Sequence, residues 1–275
     1  MTPFDFGSGT AIVTGAAGGI GEQLAYRLAE RGLALALVDR DADRLDRVAA
    51  AVRERTTVTS YVTDLADGPA CARLAADLAA EHPDCTLLIN NAGVALVGDF
   101  EQVSAEEFDW VLAVNLHATV TLCRALVPVL RSHPGSHLVN LSSLFGLIAP
   151  AGQAAYATSK YAVRGFTESL RAELAPDVGV TVVHPGGIRT GIARSARRAA
   201  ALPPAPAGDG IDAFDRLLTF PADRAATMII RAVERRRPRL LIGASASVPD
   251  LLARITPGHY PRALGLLHRL LSRGR

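Results

Sequence analysis

Short apolar runs alternate with helical patterns along most of this chain, and that alternation restricts the fold more than any other feature. Thr10–Thr14, Leu33–Val38, Thr57–Val62, Thr86–Ile89, His137–Leu141, Val178–Val183 and Arg239–Gly243 read as strands. Helical periodicity predicts helices from the turn after the first strand to about Arg31, and over Asp41–Arg55, Pro69–Glu81, Ala105–Arg131, Ala154–Leu174 and Pro221–Arg236. Strands that are apolar throughout have both faces covered, as a parallel sheet wrapped by helices requires. The expected fold is α/β, a doubly wound parallel sheet of about seven strands with helices on both faces. Residues 1–243 read as one domain. Within it, residues 191–221 combine a short basic helical pattern with Pro and Gly and form a variable loop; residues 244–275 read as a basic, amphipathic helical extension, not a second domain.

A chain of 275 residues buries roughly three quarters of its unfolded surface, so the fold needs neither disulfide nor metal. Apolar residues at 49% with 20% charged exclude wholesale disorder. Cys71, Cys85 and Cys123 are odd in number and lack paired ligand spacing, and so read as buried thiols in a reducing compartment. The opening residues show no basic segment followed by an apolar run, and no uncharged stretch of 18 apolar residues occurs. A cytoplasmic protein is the expectation. Charge is divided unevenly: residues 224–275 carry 11 basic and two acidic groups, against 18 and 25 in the rest. Leu264, Leu266, Leu267, Leu270 and Leu271 interleave there with Arg262, Arg269, Arg273 and Arg275. That pattern fits packing on the domain, a subunit contact, a lid, or peripheral contact with anionic lipid. Nucleic acid is not an expected partner, because Arg235–Arg239 is short and interrupted by Pro238.

Directly after the first strand comes Thr14-Gly15-Ala16-Ala17-Gly18-Gly19-Ile20-Gly21. Glycines let the chain turn tightly and approach a pyrophosphate, while the next helix points its N-terminal amides and dipole at the anion. A strand-to-helix turn alone would also use glycine; the position after the first strand favours a Rossmann-like dinucleotide site. Asp39 lies 18 residues beyond Gly21, at the end of the second strand. A carboxylate there accepts bonds from ribose hydroxyls and repels a 2′-phosphate. NAD is expected, with NADP as the alternative if Arg40 clamps that phosphate. Asp64, after the third strand, is placed to meet adenine or to cap the next helix.

Ser142-Ser143 follows the fifth strand, and Tyr156 and Lys160 then stand four residues apart on one helix face. Lys160 is the single lysine among 29 basic residues. A tyrosine titrates near 10 and must lose its proton more easily to act as a base at neutral pH. A cation about 5 Å away at an effective dielectric near 20 supplies roughly 3 kcal/mol, some two pKa units.

In these motifs the chain resembles the short-chain dehydrogenase/reductase family. TGAAGGIG matches its TGxxxGxG, NNAG at Asn90–Gly93 its strand-four signature, and YATSK its YxxxK; Ser143 lies 13 residues before Tyr156, the family's spacing. Asn115 in WVLAVNLHA and the HPGGIRT segment match further positions. The resemblance implies Tyr156 as proton donor or acceptor, Ser143 polarising the substrate oxygen, Lys160 holding the nicotinamide ribose and depressing Tyr156, and Asn115 positioning a water. It assigns the cofactor to Gly15, Gly19, Ile20, Gly21, Asp39, Arg40, Asp64, Leu65, Asn91, Ala92 and Gly93, with Tyr156 and Lys160. Pro185, Gly186, Ile188 and Thr190 complete that set at the nicotinamide. Pocket walls fall to Val94, Ala95 and Leu96, to Leu144, Phe145, Leu147 and Ile148, and to residues 191–221, with Gln153, His184 or Arg189 to orient a polar group. The first two of these sets are almost wholly apolar, so the expected reaction interconverts a lipophilic secondary alcohol and its ketone. The alternatives are an NADPH-dependent 3-oxoacyl or ketone reductase, and a non-catalytic dinucleotide sensor or membrane-peripheral protein. A homodimer or homotetramer is expected, and no metal.

Overall fold

Strands β1 (Thr10–Thr14), β4 (Cys85–Asn90) and β6 (His137–Leu141) are buried along nearly their whole length, the two-sided burial their apolar runs require. In the computed structural model, which describes residues 2–192, 194–202 and 218–262, they form the centre of a parallel sheet. The other strands are β2 (Ala34–Asp39), β3 (Val58–Val62), β7 (Gly179–Pro185) and β11 (Arg239–Ile242). The order is β11-β7-β6-β4-β1-β2-β3, seven strands in all. Order reverses between β1 and β4, and a ligand crevice opens outside the carboxyl ends of strands at such a switch point.

Local signals set the helix boundaries. Asp41 accepts the Arg44 N–H to cap α2 (Ala42–Arg53), and Asp67 accepts the Ala70 N–H to cap α3 (Gly68–Glu81), which has Pro69 in its first turn. Ser104 and Glu107 cap α4 (Ala105–Leu112) reciprocally. α4 continues through a π turn at Ala113–His117 into α5 (Ala118–Arg131). That 27-residue run is long and apolar enough to cross a membrane by length and composition alone, but Glu106, Glu107, Asp109 and Arg124 interrupt it and it packs on the sheet as a core helix. Its Leu122, Cys123, Leu126 and Leu130 pack with Ile12, Leu88 and Leu138 of the sheet. On the other face, α1 (Gly19–Ala29) and α7 (Ala222–Glu234) bury Leu24, Leu28, Ile229 and Ile230. α6 (Ala154–Leu174) and α8 (Ala244–Ile255) complete the helices used below. All three cysteines are buried and free.

Residues 191–202 depart from the expected helix. Arg197–Arg198 form a short strand, β9, beside β5 (Leu96–Val97). Phe220–Pro221, β10, pair with Ile188–Arg189, β8. The Arg197 guanidinium lies over the Trp110 ring, 3.7 Å from the centroid, a cation–π contact that accompanies this pairing. Of the final helix expected over residues 261–273, all but the first two residues lie outside the described residues.

Candidate active site

The glycine turn and the NNAG turn are built as one piece. Thr14 Oγ1 accepts the N–H groups of Asn91 and Ala92, both at 3.0 Å. Asn91 Nδ2 donates to Thr14 O at 2.9 Å and Gly15 O at 3.1 Å. Both amide protons of Asn91 are thereby committed, so this side chain shapes the turn instead of offering donors to a ligand. Gly15 and Gly19 have φ of +66° and +58°, and a Cβ on Gly21 would stand 2.0 Å from the Gly15 carbonyl oxygen. Gly18 faces open space, and no side chain caps α1 at that residue. An anion therefore finds room and uncapped amides there, which fits the pyrophosphate of a dinucleotide. Ile20 and Ile188 send their side chains into the core. Thr190 Cγ2 lies against Gly19, 3.0 Å from where its Cβ would be, so the HPGGIRT segment reaches the glycine turn.

Asp39 Oδ2 accepts the Ala17 N–H at 2.9 Å and Oδ1 the Asp41 N–H at 3.1 Å. The carboxylate is fixed against the turn with acceptor capacity left for ribose hydroxyls. Arg40 is exposed. A cavity of about 330 Å³ opens between α1 and α2, lined by residues including Gly18, Gly19, Arg44 and Arg47. None of Asn115, Ser143, Tyr156 and Lys160 borders it. The two arginines at its rim escaped the sequence reading, although their i, i+3 spacing on α2 was visible. Asp64 is exposed and accepts the Ala66 N–H; the cap of the following helix is Asp67, which corrects that alternative for Asp64. Leu65 is buried in the core, leaving only its main chain to face a ligand.

At the other end of the crevice, Tyr156 and Lys160 share one face of α6, with Lys160 Nζ 5.7 Å from the Tyr156 ring centroid. Lys160 is buried and donates to Leu141 O at 3.1 Å. Burial pushes its ammonium down to about 8. Burial pushes the Tyr156 phenol above its ordinary value, and a hydrogen bond with Ser143 opposes that rise. Desolvation thus sets the direction for the phenol, with Ser143 opposing it, while the Lys160 ammonium is engaged by a main-chain carbonyl.

The adjacent serines divide their work. Ser142 Oγ donates to the Lys160 carbonyl at 2.8 Å and is structural. Ser143 Oγ accepts the Phe145 N–H at 3.1 Å, closing the short turn Leu144–Gly146, and also meets Tyr156. Asn115 lies in the π turn, the kind of helix irregularity found at functional sites. Its Oδ1 accepts the Val94 N–H at 2.8 Å, and its Nδ2 donates to Val94 O and Ser159 Oγ, both at 3.0 Å. A Cβ on Gly93 would lie 3.2 Å from Lys160 Nζ and 3.3 Å from Asn115 Oδ1. NNAG, Asn115, Ser143, Tyr156 and Lys160 therefore converge from β4, the π turn, β6 and α6.

Phe145 stands edge-on to Tyr156, ring centroids 6.0 Å apart, and Leu144 beside it is half-buried. Leu147 and Ile148 are buried. Leu96 packs with Val111 and Ala155, behind the wall it was expected to form. Gln153 precedes α6, where its carbonyl accepts the Ala157 N–H. His184 is buried, with Nδ1 2.9 Å from the Ser143 carbonyl, which places it behind the site and not in the pocket. Burial pushes it down to about 4.

Comparison with known proteins agrees with this geometry. Residues 9–201 match the family described as short chain dehydrogenase. The Mycobacterium tuberculosis protein SadH, named as an oxidoreductase, is 37% identical over 263 residues, covering 92% of each chain. The 1-deoxy-11-beta-hydroxypentalenate dehydrogenase of Streptomyces exfoliatus is 40% identical over 186 residues, 66% of this chain and 67% of that one. Among solved structures, a short chain dehydrogenase/reductase from Burkholderia phymatum in complex with NAD superposes with a TM-score of 0.81 at 29% identity, covering 92% of this chain and 95% of that one. A short-chain dehydrogenase from Sphingobium yanoikuyae in complex with NADPH gives 0.76 at 28%, covering 96% of each. By family match, relatives and fold, this chain belongs to the short-chain dehydrogenase family of NAD(P)-dependent oxidoreductases.

Proposed function

We propose that the protein interconverts a lipophilic secondary alcohol and its ketone, with NAD preferred over NADP. The convergence of Ser143, Tyr156, Lys160 and Asn115 beside Gly93 carries this reading. A bound nicotinamide supplies or accepts the hydride. Tyr156 gives its phenolic proton to the carbonyl oxygen in reduction and takes it back in oxidation. Ser143 donates a hydrogen bond to the same oxygen. Lys160 holds the ribose hydroxyls, and Asn115, its side chain engaged by Val94, fixes the turn that positions a water toward Lys160. Asp39 favours NAD, because a carboxylate pinned to the Ala17 amide opposes a second phosphate.

The apolar Leu144, Phe145, Leu147 and Ile148 beside Tyr156 support a lipophilic substrate, as do relatives named for a hydroxypentalenate and an 11-beta-hydroxysteroid. A homodimer or homotetramer in the cytoplasm belongs to the same reading, with any membrane contact left to the tail. The intact proton-transfer group argues against a sensor, which has no use for a base.

The test is Tyr156→Phe. Nucleotide affinity is expected to stay at the parent value while turnover falls by about 10²- to 10⁴-fold, the usual worth of a positioned acid or base; turnover within tenfold of the parent refutes the mechanism. The parent's pH profile provides a second measurement. A phenol held above its ordinary value is protonated at neutral pH, so alcohol oxidation should accelerate as pH rises and ketone reduction should not.

A further inference from the structure

Beyond the last strand the chain returns to the carboxyl edge of the sheet. Gly243, at φ +86°, turns it into α8, and Ser245 Oγ then accepts the Gly187 N–H at 3.1 Å. The same oxygen lies 2.2 Å from where a Cβ on Gly186 would be. Further along, Asp250 is buried and pairs with Arg239 at 2.6 Å and Arg254 at 3.0 Å, tying α8 to β11. At the far end, Tyr260 Oη accepts the Ala149 N–H at 3.0 Å. Ala149 directly follows the buried Leu147 and Ile148. The arm thus fastens to two segments that flank the reaction centre: Pro185–Gly187 after β7, and the stretch from Ser143 to Ala149 after β6.

We propose that this arm sets the width of the substrate pocket, with Tyr260 as a specificity-determining positioning residue acting through Ala149. The proposal rests on the site assigned above. Residues 144–148 carry the apolar wall, and where that wall stands depends on what holds its distal end. Pro150, next in sequence, has no N–H to offer, so the Ala149 amide is the last donor of the segment, and Tyr260 takes it. Removing the acceptor leaves that amide to water and releases the wall at the end away from Ser143. The other end stays closed by Ser143 Oγ on the Phe145 N–H and by His184 on the Ser143 carbonyl. Proton transfer is therefore less affected than the fit of a large substrate.

The full-length Tyr260→Phe and Tyr260→Ala variants are assayed with a bulky polycyclic ketone and a small acyclic ketone at saturating reduced cofactor. Deleting the arm would also remove Asp250 from Arg239, so point variants are the sharper probe. The expected result is a change of about fivefold or more in KM for the bulky ketone, larger for Ala than for Phe, with kcat within twofold. The ratio of kcat/KM between the two ketones shifts accordingly. Leu251→Ser, on the exposed face of α8, leaves that ratio at the parent value. An unchanged ratio in both Tyr260 variants overturns the proposal. So does an equal fall in kcat for both ketones accompanied by lost thermal stability, or an equal shift in Leu251→Ser. Tyr156→Phe run in parallel separates the two readings. If it is inactive and the Tyr260 ratio unmoved, the arm proposal alone fails; if it is fully active, the underlying site fails and the proposal with it.

Discussion

On the β1–β2 side of the crevice, position is set by main chain and by very short side chains. Thr14 and Asn91 lock one turn to the other with four hydrogen bonds to backbone groups. Gly21 packs so closely on Gly15 that no side chain fits between them. On the β6–β11 side, single side chains each hold a separate loop: Arg197 on Trp110, Ser245 on Gly187, Tyr260 on Ala149. Geometry of the first kind tolerates almost no change, since Gly15, Gly19 and Gly21 lack room for one more carbon. The second kind can be retuned a residue at a time. A diphosphate presents the same charges in every dinucleotide, while substrates differ in bulk, and the two constructions suit those two demands.

Three substitutions challenge this contrast, in order of expected effect. Gly21→Ala forces a methyl into the Gly15 carbonyl. A clash of that size costs about 3 kcal/mol, so nucleotide affinity by titration should fall by roughly a hundredfold, with a lower melting temperature. Binding near the parent value would show that the turn is more pliant than its contacts imply. Asp39→Ala removes one charge-assisted acceptor, worth about 1.5–3 kcal/mol. The ratio of kcat/KM for NAD over NADP should drop at least about tenfold, and an unchanged ratio would transfer cofactor choice to Arg40, Arg44 or Arg47. Arg197→Ala loses a cation–π contact of about 1 kcal/mol, so KM for a bulky ketone should rise by about fivefold with the nucleotide dissociation constant unmoved. Equal weakening of both ligands would erase the distinction between the two sides.

Much of the cofactor side was legible because its constraints are local. A glycine at φ +66° or +58° is a statement about one residue, and motif spacing records such statements directly. The lone lysine likewise stood out, since YATSK places it one helical turn from Tyr156, beside which the structure sets it. Its environment was not legible. Spacing predicted a phenol made more acidic by Lys160, whereas desolvation of the phenol itself pushes it the other way. The division of labour between Ser142 and Ser143 was equally hidden, because it depends on which hydroxyl faces the Lys160 carbonyl across 18 residues. Residues 191–221 read as a variable loop with a short basic helical stretch, and the pairing of Arg197–Arg198 with Leu96–Val97 and the contact of Arg197 with Trp110, both far back in the sequence, were not visible there.

Composition, strand–helix alternation and the motifs from Gly15 to Lys160 were enough to determine the parallel sheet and the glycine-rich turn, and to single out the side chains proposed to react. Those features rest on backbone conformation and on periodicity, which are properties of neighbours in sequence. Tertiary structure alone decided the rest: which polar groups lose water, which carbonyl each side chain reaches, and where the arm after Gly243 comes to lie. Desolvation and long-range packing depend on what the fold brings from elsewhere in the chain, and linear order carries no measure of them.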